Sequence, residues 1–185
     1  MMIDAGALKG VSAIFGGHVT HEWPTGKIMI RRGAMTAQSD RFYITVKGKG
    51  GHGARPHEAI DAVVIASLLI TTLQTLVSRQ TNPVHPSVIT VGKIEAGTAP
   101  NVIAESARLE GTIRTTFPDT RDHIHKGIRR MTEAMAELHD AEIHLELSEG
   151  YPPVINTDAE VDLVRECVRS LYGQDALRTS PHASM

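Results

Sequence analysis

The sequence predicts an α+β fold: a β-α-β-β-α-β unit over residues 40–150, with a shorter flanking stretch on either side, 1–39 and 151–185. Three observations predict it. Apolar and polar residues alternate with period two at 40–47, 106–115 and 142–147. Helical patterns occupy about 58–78 and 118–139. The two ends hold short, isolated pieces outside this unit, as expected of a compact domain inserted in a larger protein of which this chain is a part.

Residues 11–19 read as a short apolar strand ending in Gly16, Gly17 and His18, and 27–31 as a second β-like piece after the turn residues Pro24, Thr25 and Gly26. From Asp40 an alternating strand runs to Lys47 and empties into the glycine-rich segment 48–57. A long apolar-periodic helix follows, then a β-rich run at 87–94 and the turn Ala96-Gly97-Thr98-Ala99-Pro100-Asn101, which leads into the next strand. Pro118 suits the first turn of the second helix, where Asp119 and Asp122 favour the amino end. The last strand spans 142–147. This order folds into a four-stranded antiparallel sheet with both helices on one face, a ferredoxin-like topology. Gly150-Tyr151-Pro152-Pro153 then reads as a linker, and 158–172 as a helix of the flanking region.

Composition excludes several functions. A net charge of −2 among 185 residues leaves no broad basic surface for phosphates, and aromatics at 4% are too few for a base-stacking platform. An RNA-binding domain of this topology needs aromatics on its central strands, where Leu109, Gly111 and Ile113 stand instead. The single cysteine, Cys167, permits neither an intrachain disulfide nor a CxxC metal knuckle, which fits a reducing compartment. The longest apolar stretch, 62–70, is too short to span a bilayer, and no basic-then-apolar leader opens the chain, so the expectation is a cytoplasmic protein with no membrane partner.

Four glycines at 48, 50, 51 and 53 surround His52 and precede His57. Glycine permits positive φ and close backbone approach, so the segment either presents an imidazole to a ligand or simply reverses the chain with His52 solvated at its tip. His18 stands at the predicted strand end, where metals and ligands gather in α/β proteins, although its spacing to His21 and Glu22 demands no cluster. Asn101 is held on a stiff turn, where its amide faces a substrate or merely serves the backbone. Arg114 offers either a bidentate carboxylate clamp or a surface salt bridge. His123, His125, His139 and His144 read as structural, and His85 and His182 lie beside prolines in loops.

The segments Phe15-Gly16-Gly17-His18-Val19, Pro24-Thr25-Gly26, Gly48 to His57, Gly97-Thr98-Ala99-Pro100-Asn101-Val102-Ile103, Gly111-Thr112-Ile113-Arg114-Thr115 and Gly150-Tyr151-Pro152-Pro153 occur in an order that resembles the aminoacylase/carboxypeptidase family of two-metal hydrolases, especially its amidohydrolase branch. The resemblance implies an α/β catalytic domain, represented by 1–39 and 151–185, interrupted by a lid and dimerisation domain at 40–150. It implies that His18 is a metal ligand for zinc or manganese, that His52 reaches a dimer partner's active site to stabilise the oxyanion, and that Asn101 and Arg114 contact an N-acyl amino acid. It also implies a homodimer, and the exposed edges of the four-stranded sheet make edge pairing about a two-fold axis the expected joint. The family's Cys-Gly-His-Asp and Glu-Glu segments are not in this chain, His182 does not match the family's final histidine ligand, and Cys167 does not match the family cysteine. The expectation is therefore a fragment of an amidohydrolase, inactive by itself; the alternative is a stand-alone dimerisation or small-ligand-binding module.

Overall fold

A computed structural model describes residues 2–185, in which ten strands and three long helices form two compact units. The strands are β1 (Ile28–Ile30), β2 (Gly33–Ala34), β3 (Gln38–Lys47), β4 (Gly51–His52), β5 (Ser87–Ala96), β6 (Val102–Ile103), β7 (Ser106–Thr115), β8 (Glu142–Ser148), β9 (Ile155–Asn156) and β10 (Leu177–Thr179); the helices are α1 (Ala62–Thr75), α2 (Pro118–His139) and α3 (Asp158–Tyr172).

The larger unit comprises Thr36–Val154 with Ala183–Met185. Its sheet has the order β5-β7-β3-β8, all neighbours antiparallel. Burial alternates along β3, so Phe42, Ile44 and Val46 point to one face while Arg41, Tyr43, Thr45 and Lys47 point to the other. Both helices cover the apolar face: Ile65, Leu69 and Leu73 of α1 join Ile124, Ile128, Met131 and Met135 of α2 over Phe42, Ile44, Leu109 and Ile113 in one core. Gly127 lets α2 pack closely on the residue that follows α1, because a Cβ there would collide with the Leu76 side chain.

α1 starts later than its apolar period suggests. Pro56–Glu58 forms a short tight turn, and Asp61 then caps the helix by accepting from the amides of Val63 at 2.9 Å and Val64 at 3.2 Å. Past Thr75 the chain widens into a single π turn, Leu76–Gln80. The combined segment Ala62–Gln80, of mean hydropathy 1.6, is long and apolar enough to cross a membrane by length and composition, a reach that the 62–70 stretch lacks. In this fold its inner residues are core, while Val63, Val64 and Leu68 on its other face stay exposed. α2 ends as Asp140 turns left-handed at φ 51° and the Ala141 amide donates back to the Ala136 carbonyl at 3.0 Å.

The smaller unit comprises the segment ending at Met35 together with Ile155–His182. Parallel β1 and β10 pack with Val164 and Val168 of α3, and β2 pairs with β9. The strand expected at 11–19 is absent: residues 11–20 adopt no regular structure and are exposed throughout. An apolar strand needs a neighbour to take its backbone groups and cover its side chains, and among the described residues nothing pairs with this one.

Candidate functional site

The loop after β3 is built by close contact rather than by unusual dihedrals. None of Gly48, Gly50, Gly51 and Gly53 has a positive φ, contrary to one of the two expectations for this segment. A Cβ at Gly48 would run into the Ile60 carbonyl, one at Gly51 would come within 2.9 Å of Ala59 Cβ, and one at Gly53 within 2.9 Å of the Asn101 carbonyl. The missing side chains let the loop lie flat against its neighbours, where Lys49 and Ile60 exchange amide bonds at 2.9 Å and Gly48 donates to Glu105 at 2.8 Å. β4 then pairs with β6, placing His52 opposite Val102.

This pairing brings His52 and Asn101 to one groove. The Gly53 amide donates to the Asn101 carbonyl at 2.8 Å, so the two loops are tied at the residues next to and within the site. The exposed His52 ring accepts the Ala54 amide on Nδ1 at 3.1 Å. A ring that accepts on Nδ1 carries its neutral-form proton on Nε2, which leaves Nε2–H as a free donor directed away from its own backbone. The Asn101 side chain makes no hydrogen bond among the described residues. Gly97, with φ +73°, makes the turn that shapes the far wall. The groove, about 890 Å³, is lined by residues 48–52, 95–98 and 101–106, enough room for a small N-acylated substrate.

Arg114 is elsewhere. It lies on β7 eight residues from Ser106, which itself borders the His52 groove, so at roughly 3.3 Å per residue the separation along the strand is about 26 Å. Its side chain stands on the helix-free face between Ser39 and Val88, half-buried and without an ion pair among the described residues. His18 belongs to the smaller unit, in the exposed irregular segment, with Nδ1 2.5 Å from the Val19 carbonyl. Among the described residues no group of three or more His, Cys, Asp or Glu is arranged to hold a metal ion, so the residues present do not by themselves fit the divalent-metal centre that the resemblance implies. His21 and Glu22 add no such group, and His57 lies 3.6 Å from Glu58 on the exposed turn.

One polar cluster was not foreseen. Asp40, 1% exposed, accepts Arg121 Nη2 at 2.6 Å and Nε at 2.8 Å, His125 Nε2 at 2.9 Å and the Gly150 amide at 2.9 Å. Burial alone would raise this carboxyl's pKa, but the Arg121 guanidinium, the Gly150 amide and His125 outweigh it and hold the pKa below the ordinary carboxylate value. The cluster fixes the start of β3, α2 and the outgoing segment together. Its trace in the sequence was faint: an acid on the inward phase of an apolar strand, and a basic pair one helical turn apart on α2.

Comparison with known proteins identifies the class. The peptidase dimerisation domain matches residues 31–140, and the chain belongs to the metallopeptidase family that carries this domain. It is 42% identical over its whole length to a probable hydrolase of Synechocystis, and 40% identical over 157 residues to an N-acyl-L-amino acid amidohydrolase of Geobacillus stearothermophilus, with 85% of this chain covered. The chain spans less than half the length of these relatives, 47% and 42%. Among solved structures, one from methicillin-resistant Staphylococcus aureus superposes with a TM-score of 0.83 at 32% identity, covering 98% of this chain and 47% of that one. A dinuclear metal-binding peptidase of Bacillus subtilis superposes at 0.73 with 31% identity, covering 100% and 44%.

Proposed function

We propose that this chain is the lid and dimerisation part, with adjoining catalytic-domain segments, of a metal-dependent amidohydrolase that cleaves N-acyl amino acids in the cytoplasm. The observation that carries the reading is the His52 ring: its Nδ1 takes the Ala54 amide, so Nε2–H is left to donate to the oxyanion that develops on the scissile carbonyl. Asn101 orients the substrate from the same groove, and Arg114 pairs with its carboxylate in bidentate fashion. His18 would contribute one ligand to a zinc or manganese centre whose remaining ligands this chain does not supply.

The separation of His52 from Arg114 implies two chains per site. No small N-acyl amino acid reaches both ends of β7, so Arg114 of one subunit would meet His52 and Asn101 of the other. The pairing edge is β5. It is an edge strand, paired only with β7, with Val88 and Ile94 exposed, and it lies beside the uncovered Val63, Val64 and Leu68 of α1, whereas the opposite edge, β8, presents Glu142, His144 and Glu146. A second copy joined at β5 would continue the sheet and cover the exposed apolar side chains of α1. The reading is tested in the complete enzyme, assayed on N-acyl amino acids. Mixed dimers of His52→Ala and Arg114→Ala subunits should regain activity that each homodimer lacks, because one of the two composite sites is then intact. Mixed dimers as inactive as their parents would refute the shared site.

A further inference from the structure

The helix-free face of the sheet carries most of its charges in ion pairs, within a strand or across to the next. Lys47 meets Glu142 at 3.0 Å, Lys93 meets Glu95 at 2.9 Å and Glu110 at 3.3 Å, and Arg108 meets Glu110 at 3.4 Å. Two cations of the face break this rule. Arg41 and Arg114 make neither an ion pair nor a side-chain hydrogen bond among the described residues. They are neighbours: Arg41 opposes Thr112 and Arg114 opposes Ser39 across β3 and β7, which makes the two arginines diagonal partners with Cβ atoms roughly 7–8 Å apart.

Adjacent guanidinia repel each other unless an anion lies between them, and each offers a planar fork suited to a carboxylate. The hydroxyls of Ser39 and Thr112 occupy the other corners of this patch. Glu110, diagonal to Arg41 on the far side, is already engaged by Lys93 and Arg108. Glu146, the one acid of the sheet face without an ion pair among the described residues, opposes Tyr43 on β8, on the side of Arg41 away from Arg114.

We propose that Arg41 and Arg114 form a two-guanidinium site for a ligand bearing two carboxylates, so that the substrate is an N-acylated acidic amino acid. The proposal rests on the reading of Arg114 as the carboxylate contact and adds Arg41 as the residue that selects the second carboxylate. The ligands that separate the two are N-acetylglutamate and N-acetylglutamine, equal in shape and differing by one charge. In calorimetric titrations of the 185-residue chain, N-acetylglutamate should bind about tenfold tighter, the gain of one charge-assisted hydrogen-bonded pair. Arg41→Gln should erase the difference, Arg114→Gln should weaken both ligands, and Glu146→Gln should preserve the preference. Equal affinities in the unaltered chain, a preference that survives Arg41→Gln, or no binding of either ligand overturns the site. An Arg114→Gln variant that binds N-acetylglutamine normally instead overturns the underlying reading of Arg114.

Discussion

At the residue scale the site depends on where one proton sits. On the role proposed for His52, a donor to the developing oxyanion acts mainly in the transition state, so in the complete enzyme His52→Ala should lower kcat on the order of 10²–10³-fold with little change in KM. Asn101→Ala should raise KM more visibly; steady-state kinetics on a hippurate-type substrate separates the two. Asp40 makes a different claim. Its pKa is depressed, so its contribution to stability is fully present above the unfolded-state value near 3.9 and is lost as pH falls through the lower folded value. Asp40→Asn leaves Arg121 largely buried with only the exposed Glu149, at 3.4 Å, as a carboxylate partner and should cost about 3 kcal/mol at pH 7, read by urea unfolding. The cost should shrink as the pH is taken below the unfolded-state value, because protonation of Asp40 then favours the unfolded chain of the unaltered protein; a pH-independent difference would refute the charge argument. The sequence flagged His52 through its glycines, yet passed over Asp40 and treated His125 as merely structural. The partners of Asp40 are 81, 85 and 110 residues away, and only the fold brings them together.

At the element scale, the glycine loop behaves as a flat strap whose tolerance varies from one position to the next. Gly48→Ala and Gly53→Ala place a Cβ against backbone carbonyls that cannot move aside, whereas at Gly50 the nearest atoms are 3.4 Å away. The first two substitutions should each destabilise the larger unit by about 1–3 kcal/mol and shift the amide resonances of both His52 and Asn101, while Gly50→Ala should do neither. Comparable melting temperatures for all three variants would contradict this packing account. The strands over 40–47, 106–115 and 142–147 and the helix from Pro118 to His139 were legible because each buries one face and so carries a clean period. α1 was legible as a helix but not at its ends, since its apolar residues begin before the Asp61 cap and continue into the π turn. The segment 11–19 misled, because an apolar run becomes a strand only where a neighbouring strand accepts it.

At the scale of the whole molecule, association should follow the apolar edge. We expect dimers at micromolar concentration by light scattering, and Leu68→Glu on the uncovered face of α1 should convert them to monomers without lowering helix content by circular dichroism. A glutamate at Glu146's edge, as in Ser148→Glu, should leave the dimer intact. If Ser148→Glu dissociates the dimer and Leu68→Glu does not, the copies pair through β8 instead. The isolated chain, lacking a metal-holding cluster among its described residues, should hydrolyse no N-acyl amino acid when zinc or manganese is added.

The sequence by itself determined the β-α-β-β-α-β order, the inward and outward faces of each strand and the prominence of His52, because periodicity and glycine placement are local properties of the chain. The tertiary structure decided which of the candidate residues share a site. Pairing of β4 with β6 joined His52 to Asn101, while the length of β7 carried Arg114 away from both and set it beside Arg41. Register is a relation between segments distant in the chain, and it is register that turns separate side chains into a site.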